Sequence, residues 1–223
     1  MQDLLPIEKR VVANQKRISD RCGELLKKNA QFPLHQAAED GDSNDVLDHF
    51  LLNLKVHVDT KNDDGDTALH WAAINGHSDV VQHLLDRGAG IDTKDNNGET
   101  PLHRAAWYGH SNVVQHLLDR GAGVDTNNKS GETALHMAAF YGCSDVVQHL
   151  LSRGAGIDIK NNDGVTPLHL AAEYGHSDVV QHLLDRGAGI DTKNKDGDTA
   201  LQLAVFLGHA DVVALLKAKG GKK

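Results

Sequence analysis

Residues Gly131 to Asp163 read GETALHMAAFYGCSDVVQHLLSRGAGIDIKNND, and nearly the same 33 residues stand before and after this stretch. The glycine that opens the unit recurs at a constant spacing of 33 residues, at Gly65, Gly98, Gly131, Gly164 and Gly197. A fixed period of this length indicates a stack of similar structural units and not one globular core. The organisation of one unit therefore predicts the organisation of most of the chain.

Each unit is predicted to begin with a short helix. Small and apolar residues follow the spacing i, i+3, i+4, i+7 on one face of this helix, namely Leu135, Ala138, Ala139 and Gly142. Thr133 stands where a helix N-cap is expected, and in two other copies a proline follows the equivalent threonine. We therefore expect the first helix to begin directly after Thr133.

A second helix and a projecting turn complete the predicted unit. Ser144 is the expected N-cap, Arg153 lies near the C-terminus, and Gly154 is the expected left-handed stop. The buried stripe of this helix is predicted to be Val146, Val147, Leu150 and Leu151. The remaining GAGIDIKNND is expected to project as a finger, because it is rich in Gly, Asp and Asn. Two helices and a finger cannot enclose a core, so each unit must bury its apolar face on its neighbours, as in a curved solenoid.

The unit closely resembles the ankyrin repeat in its period and its motif. The form Thr-Pro-Leu-His is present at Thr100–His103 and at Thr166–His169, within a pattern T-[AP]-L-H-x-A-A-x-x-G-[HC]. The resemblance implies an all-α ankyrin solenoid in which one face of the first helix and the finger tips line a concave partner-binding groove. It also implies that the motif histidines bond to the threonine and to backbone groups of adjacent repeats.

The chain is predicted to contain a capping helix at 1–29, six repeats at 30–216 and a basic tail at 217–223. The first repeat is degenerate, because Phe32 replaces the motif threonine and the interval from Leu34 to Leu69 is 35 residues. The two extra residues are expected around 42–44 and 53–56. The sixth repeat departs from the pattern, as a terminal cap is expected to, at Gln202, Val205 and Leu215.

The N-terminal segment is predicted to be one helix over residues 4–28. Its apolar stripe has a seven-residue period, formed by Leu4, Val11, Ile18 and Leu25. The helix either folds over the first repeat as a lid, since solenoid ends must be capped, or forms a short coiled coil with Asn14 in its core. The chain is accordingly expected to be a monomer, and a dimer formed through this helix is the alternative.

The net charge of −8 is unevenly distributed. Residues 1–29 carry 7 Lys and Arg against 4 Asp and Glu, residues 30–216 carry 12 against 27, and residues 217–223 carry 4 against none. An array with a net charge of −15 is a poor nucleic acid binder, because affinity for phosphates rests on Lys and Arg that displace counterions. The same charge favours basic partners.

The sequence predicts a cytoplasmic protein with no membrane span. No apolar run of about 18 residues is present, and the N-terminus does not resemble a signal peptide. Cys22 and Cys143 belong to no pairing motif, which fits a reducing compartment.

The copies stop agreeing on the other face of the first helix. Positions 137, 140 and 141 have the spacing i, i+3, i+4 and are predicted to form one exposed patch. Seven of the chain's aromatic residues occupy such positions: Trp71, Trp107, Tyr108, Phe140, Tyr141, Tyr174 and Phe206. Because Trp, Tyr and Arg dominate interface energetics, we predict a protein-binding surface. Its predicted contact residues are Trp71, Ile74, Asn75, Arg104, Trp107, Tyr108, Met137, Phe140, Tyr141 and Tyr174.

The expected partner is a basic protein or peptide with a hydrophobic anchor. Acidic residues that follow the finger glycines are expected to form a rim, namely Asp66, Glu99, Glu132 and Asp198. One structural alternative remains open, in which the rings only pack between repeats, above all Trp107 on Phe140 and Tyr108 on Tyr141. A scaffold role through self-association of the N-terminal helix is the second functional hypothesis.

No catalytic residue, metal or cofactor is predicted, so the expected function is non-enzymatic. The histidines recur in ladders, and helices packed about 8–10 Å apart are too distant for one zinc ion to collect successive rungs. Histidines of the second helix are instead expected to pair with an aspartate four residues earlier, as His83 with Asp79. Cys143 replaces a histidine and is interpreted as a copy variation and not as a nucleophile. The glycine spacing matches no phosphate-binding loop.

Overall fold

The computed structural model describes residues 4–29 and 31–221, with side chains described from residue 11 onward. The first three residues of the capping segment, the first residue of the array, the last two residues of the tail and the side chain of Leu4 lie outside the described residues. Within the described ranges the chain forms thirteen α-helices, and the β structure is limited to one bridge between Lys193 and Thr199. The predicted all-α class is confirmed.

The helices form two layers. Helix α1 spans Leu4–Lys28. The inner layer contains α2 Pro33–Glu39, α4 Ala68–Asn75, α6 Pro101–Trp107, α8 Ala134–Tyr141, α10 Pro167–Glu173 and α12 Ala200–Leu207. The outer layer contains α3 Asn44–Asp48, α5 Ser78–Asp86, α7 Ser111–Asp119, α9 Ser144–Ser152, α11 Ser177–Asp185 and α13 Ala210–Ala218. Inner helices contact the inner helices of neighbouring repeats, and from α5 onward the outer helices do the same, so the repeats stack in chain order.

Small apolar side chains hold the inner layer together. Leu69, Ala72 and Ala73 are fully buried, and the equivalent residues of the next three repeats are buried as well. Alanine lets neighbouring helices approach closely, and in an interior packed this densely an added methyl group costs about 1–3 kcal/mol. This burial matches the stripe that the spacing predicts for the first helix.

A buried histidine links each of repeats two to five to the repeat that follows. In the third repeat, Nδ1 of His103 accepts the backbone N–H of Thr100 at 3.1 Å and lies 2.9 Å from its hydroxyl oxygen. Nε2 lies 3.1 Å from the carbonyl oxygen of Glu132 in the fourth repeat. A carbonyl can only accept, so Nε2 carries the proton and the ring is neutral. The role that the ankyrin resemblance implies for these histidines is confirmed.

We expect the free energy of unfolding to fall as the pH is lowered from about 6.5 toward about 4. Burial lowers the pKa of His70 and His103 from 6.5 to about 4. Between these pH values the two histidines bind protons in the unfolded chain but stay neutral in the folded chain. Acid therefore favours the unfolded chain.

Gln202 supplies the matched replacement for this pH test, because its Oε1 accepts the N–H of Thr199 at 2.9 Å and does not titrate. His103→Gln should lose less stability than the wild type between about pH 7 and about pH 5 in urea denaturation. An equal loss in both proteins would show that the buried ring does not cause the effect.

A second set of histidines bonds backwards to the preceding repeat. Nε2 lies within hydrogen-bond distance of a backbone carbonyl oxygen in four pairs: His77 with Glu39 at 3.0 Å, His110 with Ile74 at 2.8 Å, His176 with Phe140 at 2.8 Å and His209 with Glu173 at 2.7 Å. Cys143 occupies this position in the fourth repeat, and its thiol makes no such bond among the described residues. The boundary between the third and fourth repeats therefore lacks one link that the others have.

The fingers also lack one hydrogen bond between the third and fourth repeats. Lys61, Lys94 and Lys160 each donate from Nζ to a carbonyl oxygen of the next finger, at 2.7, 2.7 and 2.9 Å. Asn127 stands where the third repeat would have this lysine. Two polar links are thus missing between the third and fourth repeats.

The start of the second helix differs from the prediction. The first i to i+4 hydrogen bond of α9 runs from the N–H of Val147 to the carbonyl of Cys143 at 3.0 Å, so Cys143 is the N-cap residue and Ser144 is the first helical residue. The expectation that Ser144 caps this helix is wrong, because the N-cap position is occupied by Cys143, whose side chain faces Gly109 of the preceding repeat. Gly154 has a φ of +83°, which confirms the left-handed stop.

The first repeat absorbs one of its two extra residues by widening its second helix. Helix α3 continues into a π-helical turn at His49–Asn53, just before the region where the sequence places an insertion. Lys55 follows with a φ of +54°, at the position that Gly88 occupies in the second repeat with a φ of +83°. A π-turn fits one more residue into the same rise, which keeps the buried Phe50 in register.

Among the described side chains, helix α1 contacts the first repeat mainly through its C-terminal half, and nearer its N-terminus Asn14 donates from Nδ2 to Oδ2 of Asp45 at 3.4 Å. Cys22 and Leu25 are buried and Ile18 packs beside them. Arg21 adds ion pairs to Asp40 at 2.7 Å and to Asp42 at 2.8 Å. This arrangement favours the capping interpretation for residues 18–28.

Candidate functional site

Five aromatic residues lie at the C-terminal ends of three successive inner helices, and we call this set the aromatic strip. It consists of Trp107, Tyr108, Phe140, Tyr141 and Tyr174. Tyr108, Tyr141 and Tyr174 are 52%, 41% and 44% exposed, whereas Trp107 and Phe140 are half-buried at the base of the strip. The strip spans the third, fourth and fifth repeats.

Ring contacts join the strip across two repeat boundaries. The ring centroids of Trp107 and Tyr141 are 4.8 Å apart, and those of Phe140 and Tyr174 are 4.1 Å apart. Phe140 and Tyr141 of the same helix are 4.7 Å apart. These distances lie in the range of favourable aromatic pairs, so the rings stabilise the stack and still present an exposed surface. The pairs differ from those expected, because Trp107 contacts Tyr141 and not Phe140.

The three tyrosines share one position at the C-terminal end of an inner helix. Each is followed by a glycine with positive φ, which turns the chain away and leaves the phenol uncovered. Within the described part of the chain, none of the three hydroxyl groups has a hydrogen-bond partner. Desolvation raises the pKa of Tyr141 and Tyr174, so these hydroxyls keep their protons and can donate at neutral pH.

Arg104 lies on α6 and is already paired with carboxylates. Its Nη2 lies 2.6 Å from Oδ2 of Asp95 and 3.7 Å from Oδ1 of Asp66, and its Nε lies 3.1 Å from Oε2 of Glu99. The prediction that Arg104 is an exposed contact residue is therefore wrong. Asp66 and Glu99 are 5% and 7% exposed, so neither belongs to an exposed acidic rim.

In this cluster of Arg104, Asp66, Asp95 and Glu99, burial raises the pKa values of the carboxyl groups and the charge of Arg104 lowers them. Desolvation raises the pKa of Asp66 and of Glu99 despite the attraction of Arg104. Desolvation also acts on Asp95, but hydrogen bonds from the backbone N–H of Glu99 and from Arg104 outweigh it and hold its pKa below the usual range. The guanidinium thus compensates a buried acidic cluster and is not free for a partner.

A departure from the repeat pattern in the sequence signals this cluster. Asp95 stands where the other fingers have asparagine, at Asn62, Asn128, Asn161 and Asn194. Its repeat is also the one with an arginine nine residues later. The paired departure of Asp95 and Arg104 from the repeat pattern indicates a local ion pair.

The remaining predicted contact residues divide between surface and interior. Met137 is 4% exposed, so the prediction that it is a contact residue is wrong: α8 packs between α6 and α10, which covers this flank of the helix. Trp71 and Ile74 are half-buried. Asn75 is exposed, and its Nδ2 donates to the carbonyl of Trp71 at 3.0 Å.

Comparison with known families agrees with this architecture. A family model described as ankyrin repeats (3 copies) matches residues 15–95, 34–130, 89–161 and 135–223. The chain belongs to the ankyrin repeat family. Ankyrin repeats are generally protein–protein interaction modules and are typically non-enzymatic. Among curated proteins, none matches this chain.

The described side chains of this ankyrin repeat protein show no metal-binding group of three or more His, Cys, Asp or Glu. His83 pairs with Asp48 of the preceding repeat at 2.7 Å and not with Asp79, so the predicted pairing four residues earlier is wrong at this position. The outer helices lie side by side, and the neighbouring repeat therefore offers the nearer carboxylate. Burial raises the pKa of the Cys143 thiol, which disfavours the reactive thiolate.

Within residues 4–29 and 31–221, no helix of this ankyrin repeat protein has the length and apolar character that crossing a membrane requires.

Replacing Arg104 with methionine, the residue at the equivalent position 137, should lower the free energy of unfolding by about 3 kcal/mol at neutral pH. The change leaves three carboxylates without their guanidinium in a buried site. The double variant Asp95→Asn with Arg104→Met copies the Asn128 and Met137 pair of the fourth repeat and should recover most of the loss. Urea denaturation measures both, and a single variant as stable as the wild type would rule out a compensating role.

Proposed function

We propose that this ankyrin repeat protein binds a protein partner on the aromatic strip without catalysing a reaction. The observation that supports the proposal is the exposure of Tyr108, Tyr141 and Tyr174 at 41–52%, next to the ring contacts that Trp107 and Phe140 make. Exposed tyrosine and tryptophan clusters carry much of the binding energy of protein interfaces. The apolar stripe common to the repeats builds the stack, and the aromatic residues outside that stripe supply the binding surface.

The stacked rings suit binding because they are already ordered. Trp107 and Phe140 hold their tyrosine neighbours at ring distances of 4.8 and 4.1 Å before any partner arrives. A preorganised aromatic side chain loses little conformational entropy on association. The contact set is accordingly the aromatic strip, extended at its N-terminal end by Trp71, Ile74 and Asn75.

The partner is proposed to be basic with a hydrophobic anchor. Residues 30–216 carry a net charge of −15, which attracts cationic partners over several ångströms and raises the association rate. Asp66 and Glu99 contribute to this field from inside the protein and not through direct contact. The preference for a basic partner therefore acts mainly through long-range attraction, and affinity comes from the rings.

Tyr108→Ala is the sharpest test of this proposal, because Tyr108 is the most exposed ring of the strip and touches only His110 among the described aromatic residues. We expect partners retained by the immobilised wild type to bind the variant about 30-fold more weakly, with an unchanged unfolding midpoint.

The matched control for this test is Leu52→Ala. Leu52 is also exposed and apolar, at 57%, but it lies outside the strip. Equal retention of every partner by Tyr108→Ala and by the wild type would refute the proposal.

Self-association through α1 is the second candidate function. Val11 and Val12 are 50% and 64% exposed, on the half of α1 that extends beyond the contacts of Ile18, Cys22 and Leu25 with the first repeat. The capping and dimerisation interpretations therefore use different halves of one helix. An uncovered apolar pair in an amphipathic helix favours a contact with a second helix.

Light scattering distinguishes this candidate from a monomer. Self-association predicts the mass of two chains for the wild type and of one chain for Val11→Glu with Val12→Glu, since charges at an apolar seam disfavour pairing. A single-chain mass for the wild type at micromolar concentration would exclude it.

A further inference from the structure

The three exposed tyrosines provide hydrogen-bond donors at regular intervals along the aromatic strip. Tyr108, Tyr141 and Tyr174 occupy equivalent positions in successive repeats, 33 residues apart in sequence. Their hydroxyls have no partners among the described residues, and their rings are 41–52% exposed. A ligand that matches this surface needs free acceptors at the spacing of the repeats and apolar groups that lie flat on rings.

The spacing of the repeats limits the conformation of such a ligand. Helices in neighbouring repeats pack about 8–10 Å apart. A polyproline II segment has three residues per turn and a rise of about 3.1 Å, so every third residue faces the same side about 9 Å further along. In a β-strand, residues that face the same side are about 7 Å apart. A strand therefore loses register with the repeats within two repeats.

The hydroxyl donors separate a polyproline II segment from an α-helix. An α-helix also matches the spacing, because residues i and i+7 lie about 10.5 Å apart. Its backbone carbonyls already accept a bond within the helix and are shielded by the surrounding side chains, so they are poor acceptors for Tyr141 and its equivalents. Polyproline II carbonyls have no internal partners, so each can accept a phenol hydroxyl.

The base of the strip suits proline rings, and the charge of the array suits basic residues. Trp107 lies half-buried beside Tyr141, and Phe140 lies half-buried between Tyr141 and Tyr174. Both add apolar aromatic surface of the kind that lines grooves for proline-rich segments. The net charge of −15 over residues 30–216 favours arginine or lysine at the positions that point away from the rings.

We propose that the aromatic strip binds a proline-rich, basic segment in the polyproline II conformation. Every third residue of this segment faces the strip, and three successive such residues lie over the third, fourth and fifth repeats. Each tyrosine hydroxyl donates to a backbone carbonyl of the ligand. This proposal rests on the proposed function of the strip and specifies the partner's chemistry.

The test uses two synthetic peptides of equal length and equal positive charge. One repeats Pro-Pro-Arg four times, and the other is an alanine- and leucine-rich helix former with four arginines. Each is titrated calorimetrically into the full chain, into Tyr141→Phe and into the control Leu52→Ala. Tyr141→Phe keeps the stacked ring and removes only the hydroxyl.

We expect the proline peptide to bind the wild type and the Leu52→Ala control equally, and to bind Tyr141→Phe about fivefold more weakly, as expected for one lost hydrogen bond. The helical peptide should bind the wild type at least about tenfold more weakly than the proline peptide does, since its carbonyls are already bonded within the helix and are poorer acceptors. Equal affinity of the two peptides, or equal affinity of Tyr141→Phe and the wild type for the proline peptide, would overturn the proposal.

The outcomes also separate this proposal from the broader one. If the helical peptide binds as tightly as the proline peptide and Tyr108→Ala weakens both, the strip is a binding surface and only the polyproline II assignment is wrong. If neither peptide binds and Tyr108→Ala retains every partner of the wild type, both proposals fail.

Discussion

A neutral, buried imidazole is the interaction on which the array depends. In His103 the ring accepts the backbone N–H of Thr100 with one nitrogen and donates to the carbonyl of Glu132 with the other, so one side chain both starts its own helix and holds the next repeat. Burial keeps the ring uncharged and fixes which nitrogen carries the proton. A repeat that makes most of its contacts with neighbours needs such a link because it has no core of its own.

The sequence predicts the fold more fully than the site, and particular residues show why. The helix start at Thr133, the buried Leu135 and the left-handed Gly154 follow from local rules that act within one repeat. Exposure depends on the neighbours on both sides. Met137 is buried because α8 lies between two other helices, and Arg104 is paired because two fingers bring carboxylates to it. The pattern of one repeat cannot show these contacts, although the joint departure of Asp95 and Arg104 signals one of them.

The boundary between the third and fourth repeats joins stability to function. Cys143 and Asn127 remove two polar links that other boundaries have, while Trp107 and Tyr141 bring their rings to 4.8 Å across the same boundary. Aromatic packing there takes over part of the role of hydrogen bonds and also forms the middle of the aromatic strip. Packing and partner binding are therefore two uses of the same rings, and a substitution at Trp107 would change both.

Restoring the missing link at Cys143 tests most directly whether links between repeats set the stability of the array. Cys143→His places an imidazole where His110 and His176 bond to carbonyls at 2.8 Å, and Gly109 leaves room for the ring as Gly76 does for His110. Urea denaturation should show a free energy of unfolding about 1 kcal/mol above that of the wild type, with no gain for Cys143→Ala. A folded Cys143→His variant no more stable than Cys143→Ala would contradict the account.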